Sequence, residues 1–458
     1  MTIPRRSMHG DWSSPLVPAL ALLGVSIGFA SLSRSPVLLA EQGSGFLLGY
    51  GVGLLLLGLP LLSLELIAGR VTRQSPVAAF RSLASLHGHS RHWQWLGRGM
   101  VLAALLAVAG LAVIAAWSTG FVFRMLAAGG EPLEGPLLSR ALSDLVNEPE
   151  RSLGWLTLFL LAVALPVAAG RRALEGFLLV AVPAGLLLLL ALATMVLLRA
   201  GTGPIALLAV ATNGPMTWSA LFAGAQQAFF AAAVATGVGI TLGCGLKPGD
   251  RVVRLALVVL LLHAVLVLLA AVMVLSLLGV SGARGLGGID ILFQAIPPML
   301  ASLPMAALLS SLFAVLVLLF LLTSGVVLLQ VPVASLQRGP FDLQRATVLS
   351  VGAAWLLAVV ILLGYSLWAD WRPWEVLPGL SGLSLPDLLN RFLGLILLPL
   401  LALGTALYCC WWLPRDTLST GMTGAPLRFG VHAAIRVSLP LALLLLFASG
   451  LGLAWHTL

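Results

Sequence analysis

The sequence predicts an all-α polytopic membrane protein of about eleven spans, and three observations lead there. Hydrophobic residues make up 60% of the chain and charged residues only 9%. Apolar runs repeatedly exceed the roughly 20 residues that cross a bilayer as a helix. The first and sixth runs are interrupted at mid-depth by small and hydroxyl residues. Interrupted helices five spans apart are what two five-helix repeats of inverted topology produce.

Taken in order, the predicted spans are 15–39, 45–69, 98–126, 152–169, 174–199, 216–245, 252–279, 303–336, 345–368, 388–413 and 430–454. The corresponding organisation is a short N-terminal segment (1–11), a first repeat of helices 1–5 (12–199), a second of helices 6–10 (215–413) and an additional helix 11 (428–458). The N-terminus lacks a small-residue cleavage site, so the first helix is expected to stay. The spans at 216–245 and 303–336 are longer than one crossing needs, which predicts breaks, tilt or protrusion. Cys244, Cys409 and Cys410 make no disulfide framework.

The loops orient the chain. With Arg5 and Arg6 in the cytoplasm, the loops after the even-numbered spans are cytoplasmic. They collect Arg70, Arg73, Arg81, Arg91, Arg98, Arg171, Arg172, Lys247, Arg251, Arg254, Arg338, Arg345, Arg415, Arg428 and Arg436. The opposite side receives Glu131, Glu134, Asp144, Glu148, Glu150, Asp290, Asp370, Glu375 and Asp387. That asymmetry is the positive-inside pattern, and the net charge of +9 arises from it rather than from a nucleic-acid face. An inner (plasma) membrane protein follows, with Leu458 outside.

The stretch from Trp12 to Arg70 organises the rest. Its first span carries Gly24-Val25-Ser26-Ile27-Gly28-Phe29-Ala30-Ser31, then Arg34 and Pro36. Broken backbone is tolerated in a membrane only where it lines a cavity or is buried in protein, and an arginine at that depth needs a partner. The sixth span repeats the pattern, with Gln226-Gln227-Ala228-Phe229-Phe230 leading into Ala235-Thr236-Gly237-Val238-Gly239. The connection Gly279–Ser302 is long enough to fold; its composition leaves a re-entrant loop, a cap over an entrance and a plain linker all open.

These motifs together resemble the neurotransmitter:sodium symporter family, in a bacterial form. The resemblance rests on an ordered set: Trp12, the Gly24–Ser31 break, Arg34-Ser35-Pro36, Gln42-Gly43-Ser44-Gly45-Phe46, Gly58-Leu59-Pro60-Leu61, Glu65 and Gly69-Arg70. Trp117 with Gly120-Phe121 follows in helix three, Gln227-Ala228-Phe229-Phe230 in helix six and Leu322-Thr323-Ser324 in helix eight. It covers nearly the whole chain, with one residue missing before Phe46 and a twelfth helix absent. It implies a leucine-transporter-like fold with helices 1 and 6 broken.

The resemblance also implies a sodium site between helices 1 and 8. Its positions are the Gly24, Ile27 and Phe320 carbonyls and the Thr323 and Ser324 hydroxyls, oxygen ligands that suit a hard cation. The family's second sodium site does not carry over. Its side-chain oxygens have become Ser31, Ala231 and, in helix 7, Leu262 with His263 beside it, so one sodium ion is expected. The solute pocket implied is Ser26, Gly28 and Phe29 from helix 1, Leu111 where amino-acid carriers have a Tyr, and Phe230 and Ala233 from helix 6. With no acid at Gly28, nothing pairs a bare amine, and a carboxylate is left to broken-helix N–H groups. The family's outer gate pairs the arginine, here Arg34, with helix 10, where Asn390 and Asp387 are the candidates.

The function expected is a sodium-coupled symporter importing a small zwitterionic, amino-acid-like solute. Its partners are that solute, sodium and the lipid bilayer; no nucleic acid is expected, and a homo-oligomer is left open. The competing class is a non-transporting scaffold or sensor that keeps the fold; a proton-coupled relative is the other variant. No metal-ligand cluster or catalytic dyad falls in the spans, so an enzyme is not expected.

Overall fold

The computed structural model describes residues 10–127, 144, 146–200, 209, 213–214, 216–285, 290–337, 341–372, 382–414 and 428–450. Arg5, Arg6, Glu131, Glu134, Arg338, Glu375 and Arg415 lie outside the described residues, as does the tail from 451. Nearly all of the described backbone is helical, since a helix satisfies every backbone group within its own segment. Eight of the described helices are long and apolar enough to cross a membrane. The broken first and sixth spans and a last helix, Arg428–Gly450, complete the predicted set.

The first span divides into α1 (Leu16–Ser26), α2 (Phe29–Leu32) and the start of α3 (Arg34–Gly53). Ile27 ends α1 with ψ 69°, which turns its carbonyl out of the helical direction. The predicted gap between spans 1 and 2 contracts to one turn inside α3, where Gly43 takes φ 54° and ψ −130°. The second span continues through a wide π turn, Leu54–Gly58, into α4 (Leu59–Thr72). The π turns Ile291–Ala295 and Phe392–Leu397 likewise stand just before Pro297 and Pro399. In each case the proline lacks an N–H and its ring crowds the carbonyl four residues back, so the ladder widens there.

The sequence then forms α5 (Pro76–Leu86), α6 (Gln94–Ala127), α7 (Pro149–Ala168) and α8 (Arg171–Ala200). The long sixth span is two helices, α9 (Trp218–Ala231) and α10 (Val238–Gly243), which accounts for its excess length. The seventh is α11 (Val252–Ala283), bent at Gly279 with φ 69°. The connection that follows folds into a helical cap ending in α12 (Ile296–Ala301). The eighth, α13 (Ala306–Leu336), is unbroken despite Pro332, so its excess length goes into reach. Next come α14 (Leu343–Tyr365), α15 (Leu385–Arg391), α16 (Leu398–Leu407) and α17 (Arg428–Gly450).

Two packing groups form. Helix α3 lies along α9 and α4 along α10, with α11 against both α3 and α4; α6 lies along α7, α13 and α14. The first group touches backbone to backbone. A Cβ on Gly49 would stand 2.1 Å from the Leu221 carbonyl oxygen, and one on Gly224 2.2 Å from that of Phe46. Small residues permit such approach where apolar burial gives helices no reason to associate in lipid.

Candidate ion and solute site

The break in helix 1 sits against the middle of α13. Ser324 Oγ donates to the Gly24 carbonyl at 2.9 Å, and Thr323 Oγ1 lies 3.3 Å from the same oxygen and 3.0 Å from that of Phe320. Four oxygens from two helices thus converge on one buried spot. Gly24 allows the approach, because a Cβ there would stand 3.3 Å from that of Thr323. Hydroxyls that here donate to carbonyls can rotate to offer lone pairs to a cation, so the set suits sodium.

A cavity of about 1580 Å³ runs from this break to one end of the bundle. Of the predicted solute residues, Ser26, Gly28, Leu111, Phe230 and Ala233 line it, and Ser324 faces it as well. The side chain of Phe29 lies outside the described ones. Ser26 Oγ bonds back to the Leu23 carbonyl at 3.1 Å, which caps the frayed end of α1. Gly110, on the same helix as Leu111, also lines the cavity, and a Cβ there would meet nothing within 4 Å.

The break in helix 6 is held by a residue that entered the sequence argument only as part of a motif. Ala233 and Ala235 take φ 51° and 63°, left-handed conformations that cost roughly 1–2 kcal/mol each in an L-residue. Glu65, fully buried on α4, accepts the Ala235 N–H at 2.6 Å. Gly239 lets it in, since a Cβ there would stand 2.7 Å from the Glu65 carboxylate. A carboxylate inside an apolar span was the available signal.

Arg34, Asp387 and Asn390 all line the cavity. Arg34 does not bond Asn390 or Asp387, however. Its guanidinium is 3.4 Å from Gln226 Oε1 and 5.7 Å from the centre of the Phe230 ring. Asp387 accepts instead from the Ser384 hydroxyl at 2.6 Å, in the cap that starts α15. The cap segment from 290 to 301 sends Asp290 and Gln294 into the same cavity, so of the three possibilities for that connection it lies over an entrance.

The other end of the bundle is closed by Trp12. Its indole N–H donates to the Leu242 carbonyl at 2.8 Å and its backbone N–H to Gly245 at 2.9 Å, at the end of helix 6. The Arg171 guanidinium stacks 4.0 Å over the indole, donates to the Gly10 carbonyl at 2.6 Å and pairs with Glu175 at 3.0 Å. Arg73 and Asp11 add an ion pair at 2.7 Å. The described conformation is therefore open at one end of the cavity and sealed at the other.

At the positions of the unmatched second cation site, Ser31 is buried and Ala231 supplies no side-chain oxygen. In helix 7, Leu262 points outward at 46% exposure, whereas His263 is fully buried and faces Tyr50, ring centres 6.4 Å apart.

Residues 9–129 match the family model described as the sodium:neurotransmitter symporter family. An uncharacterized sodium-dependent transporter of Haemophilus influenzae is 25% identical over 418 residues, covering 87% of this chain and 88% of its own. A second, from Bacillus subtilis, is 24% identical over 453 residues, 97% of this chain and 98% of its own. The fold is similar to the crystal structure of MhsT in complex with L-phenylalanine. The TM-score is 0.85 at 24% identity, and the match spans 96% of this chain and all of that one.

Proposed function

We propose that the chain is a member of the sodium:neurotransmitter symporter family, as its similarity to multi-pass sodium-dependent transporters rather than enzymes supports, and that it imports a small zwitterionic, amino-acid-like solute together with one sodium ion by alternating access. The observation that carries this is the convergence of the Gly24, Phe320, Thr323 and Ser324 oxygens at the break in helix 1. Sodium needs several oxygens to replace its water, and an undercoordinated ion in low dielectric is costly. The helix 1/helix 8 set meets that need, with Ile27 as the fifth ligand, and the Ser31–Ala231–His263 region does not.

The solute sits between the two breaks, against Ser26, Gly28, Leu111, Phe230 and Ala233. Its carboxylate rests on freed backbone N–H groups, and its apolar part faces Leu111 and Phe230. Arg34 is the gate residue on the open side, with Asp387 and Asn390 across from it. The sealed side carries the N-terminus and is the cytoplasmic face of an inner membrane, and the two repeats are 12–199 and 215–413. A match with MhsT bound to L-phenylalanine supports an amino-acid-like solute.

The test is a thermal-shift screen of the detergent-solubilised protein against amino acids, amines and osmolytes, in sodium or in choline. Stabilisation by a solute that requires sodium is the expected result. A scaffold that kept only the fold shows none.

A further inference from the structure

Three spans meet at the sealed end of the bundle, and the edge they form carries cations without anions. Helix 2 reaches that end at Arg73, which pairs with Asp11 of the N-terminal segment. The chain then runs through α5 and a short turn, Arg91–Trp93, into α6, the third span. The tenth span finishes there in a π turn, Tyr408–Trp412, and α17 packs beside it. The stretches that build this edge, 66–127, 388–414 and 428–450, contain no aspartate or glutamate.

Aromatic side chains join the three spans at one level. Trp412 turns to Trp93, ring centres 5.2 Å apart, and Trp93 to Tyr408 at 4.6 Å. The Trp411 indole N–H donates to the Arg436 carbonyl at 2.9 Å, and the Arg436 guanidinium lies 4.5 Å over the same indole. Arg98 repeats the stack over Trp95 at 4.3 Å. Trp95, Trp411, Trp412 and Arg98 are all exposed, whereas Arg436 Nε is buried and has no hydrogen-bond partner.

A stacked guanidinium has one face covered by the ring and its N–H edge turned outward. That planar fork matches a phosphate two N–H groups at a time. Deeper along the same three helices stand the exposed side chains of Leu102, Leu400 and Leu441, which suit acyl chains. An aromatic belt anchors a protein in neutral and anionic lipid alike. Two arginines held flat on that belt, on elements that offer them no carboxylate, distinguish one lipid from the other.

We propose that this edge binds the headgroup of an anionic glycerophospholipid: Arg436 on Trp411 takes the phosphodiester, and Arg98 on Trp95 adds to the attraction. The site is on the outside of the bundle and stands apart from the sodium and solute readings. Each arginine near the membrane surface gives about a fivefold preference, so the pair should favour an anionic over a zwitterionic lipid by roughly 30-fold, about 2 kcal/mol.

The experiment titrates dioleoyl phosphatidylglycerol or dioleoyl phosphatidylcholine into the purified full chain in detergent. Native mass spectrometry counts bound lipid, and thermal shift on the same samples reports stabilisation. Wild type should bind the first phosphatidylglycerol roughly 30-fold more tightly than phosphatidylcholine. Arg98→Gln with Arg436→Gln should lose that preference and keep the phosphatidylcholine affinity. The single variants, which also serve if the double does not fold, should each lose about fivefold. Arg172→Gln, which removes an exposed cation at the sealed end but outside this edge, should behave as wild type. Inorganic phosphate at matched ionic strength should neither stabilise the chain nor displace the lipid. Equal affinity of wild type for the two lipids overturns the proposal. So does a preference that survives in the arginine variants, an equal loss in Arg172→Gln, or displacement by inorganic phosphate.

Discussion

Arg171→Ala should unlatch the sealed end of the bundle. The arginine holds Trp12 down by stacking at 4.0 Å and ties Gly10 by a charged hydrogen bond at 2.6 Å. Stacking of a largely desolvated guanidinium on an indole is worth about 0.5–2 kcal/mol, and a hydrogen bond to a charged donor about 1.5–3 kcal/mol. The Glu175 pair stays within one helix, at i and i+4, and so adds nothing that distinguishes sealed from open. The loss is therefore about 2–5 kcal/mol of preference for the sealed state, roughly a 30- to 4,000-fold shift in its ratio to the open one.

The chain carries its own reporter for this shift. Cys244 is buried and lines a cavity of about 70 Å³ together with Trp12 and Arg171. In a Cys409→Ala/Cys410→Ala background it is the single thiol left. Its reaction with a polar maleimide should be slow in the parent, faster in Arg171→Ala and in Trp12→Ala, and intermediate in Arg171→Lys, which keeps the charge but not the flat stack. Sodium should slow it in the parent, since it favours the sealed conformation. Parent-like labelling in Arg171→Ala, with acceleration in Trp12→Ala, would show that the arginine is not part of the latch. If Trp12→Ala is also unchanged, the closure itself is wrongly assigned.

Thr323→Ala with Ser324→Ala should abolish sodium-dependent stabilisation and uptake, and sodium titrations of wild type should give a Hill coefficient near one; a value clearly above one refutes the single site. Arg34→Ala should reduce retention of bound solute in dissociation assays, because it removes both the Gln226 contact and the cation over Phe230; unchanged retention and uptake would remove Arg34 from the gate. Gly49→Ala should lower the melting temperature through a clash at 2.1 Å, costing about 1–3 kcal/mol or more. Gly51→Ala, two residues along the same helix, meets nothing within 4 Å and should instead gain up to about 1 kcal/mol of helix propensity.

The fold was legible because membrane spans are written in composition and the breaks in residue type. Gly24, Ile27 and Gly28 mark a place where helix propensity is low, and the chain does leave the helix at Ile27–Gly28. The sixth-span break was legible too, from Ala235-Thr236-Gly237. What holds that break was not: two alanines in left-handed backbone carry no sequence signature, and the hydrogen bond from Ala235 to Glu65 joins residues 170 positions apart. Arg34 illustrates the same limit. Its need for a partner was predictable from its depth, but Gln226 and Asp387 compete for nothing that the sequence displays, and the Ser384 cap claims Asp387 first. The Trp12 seal was visible only as a tryptophan, since the role of Arg171 depends on how α8 meets the N-terminal segment.

Under the proposed function, the packing would tie sodium binding to conformation. Helices 2, 6 and 7 touch through glycine and backbone, and Glu65 fastens the break of helix 6 to helix 2; helices 3, 4, 8 and 9 pack on one another. The cavity lies where the groups meet, lined by Phe230 and Ala233 of helix 6, by Leu111 of helix 3 and Ser324 of helix 8, and by Gly28 at the break of helix 1. A cation between Gly24 and Thr323–Ser324 touches helix 1 and helix 8 at once. Binding there favours the arrangement that brings the two together, whatever the solute touches. The energy available is the difference in sodium affinity between the gathered and the separated oxygens, and it vanishes for an ion that meets both states equally. Removing the two hydroxyls of helix 8 leaves the Gly24 and Ile27 carbonyls facing a single helix 8 oxygen, that of Phe320, so the coupling should fail more completely than the affinity for solute.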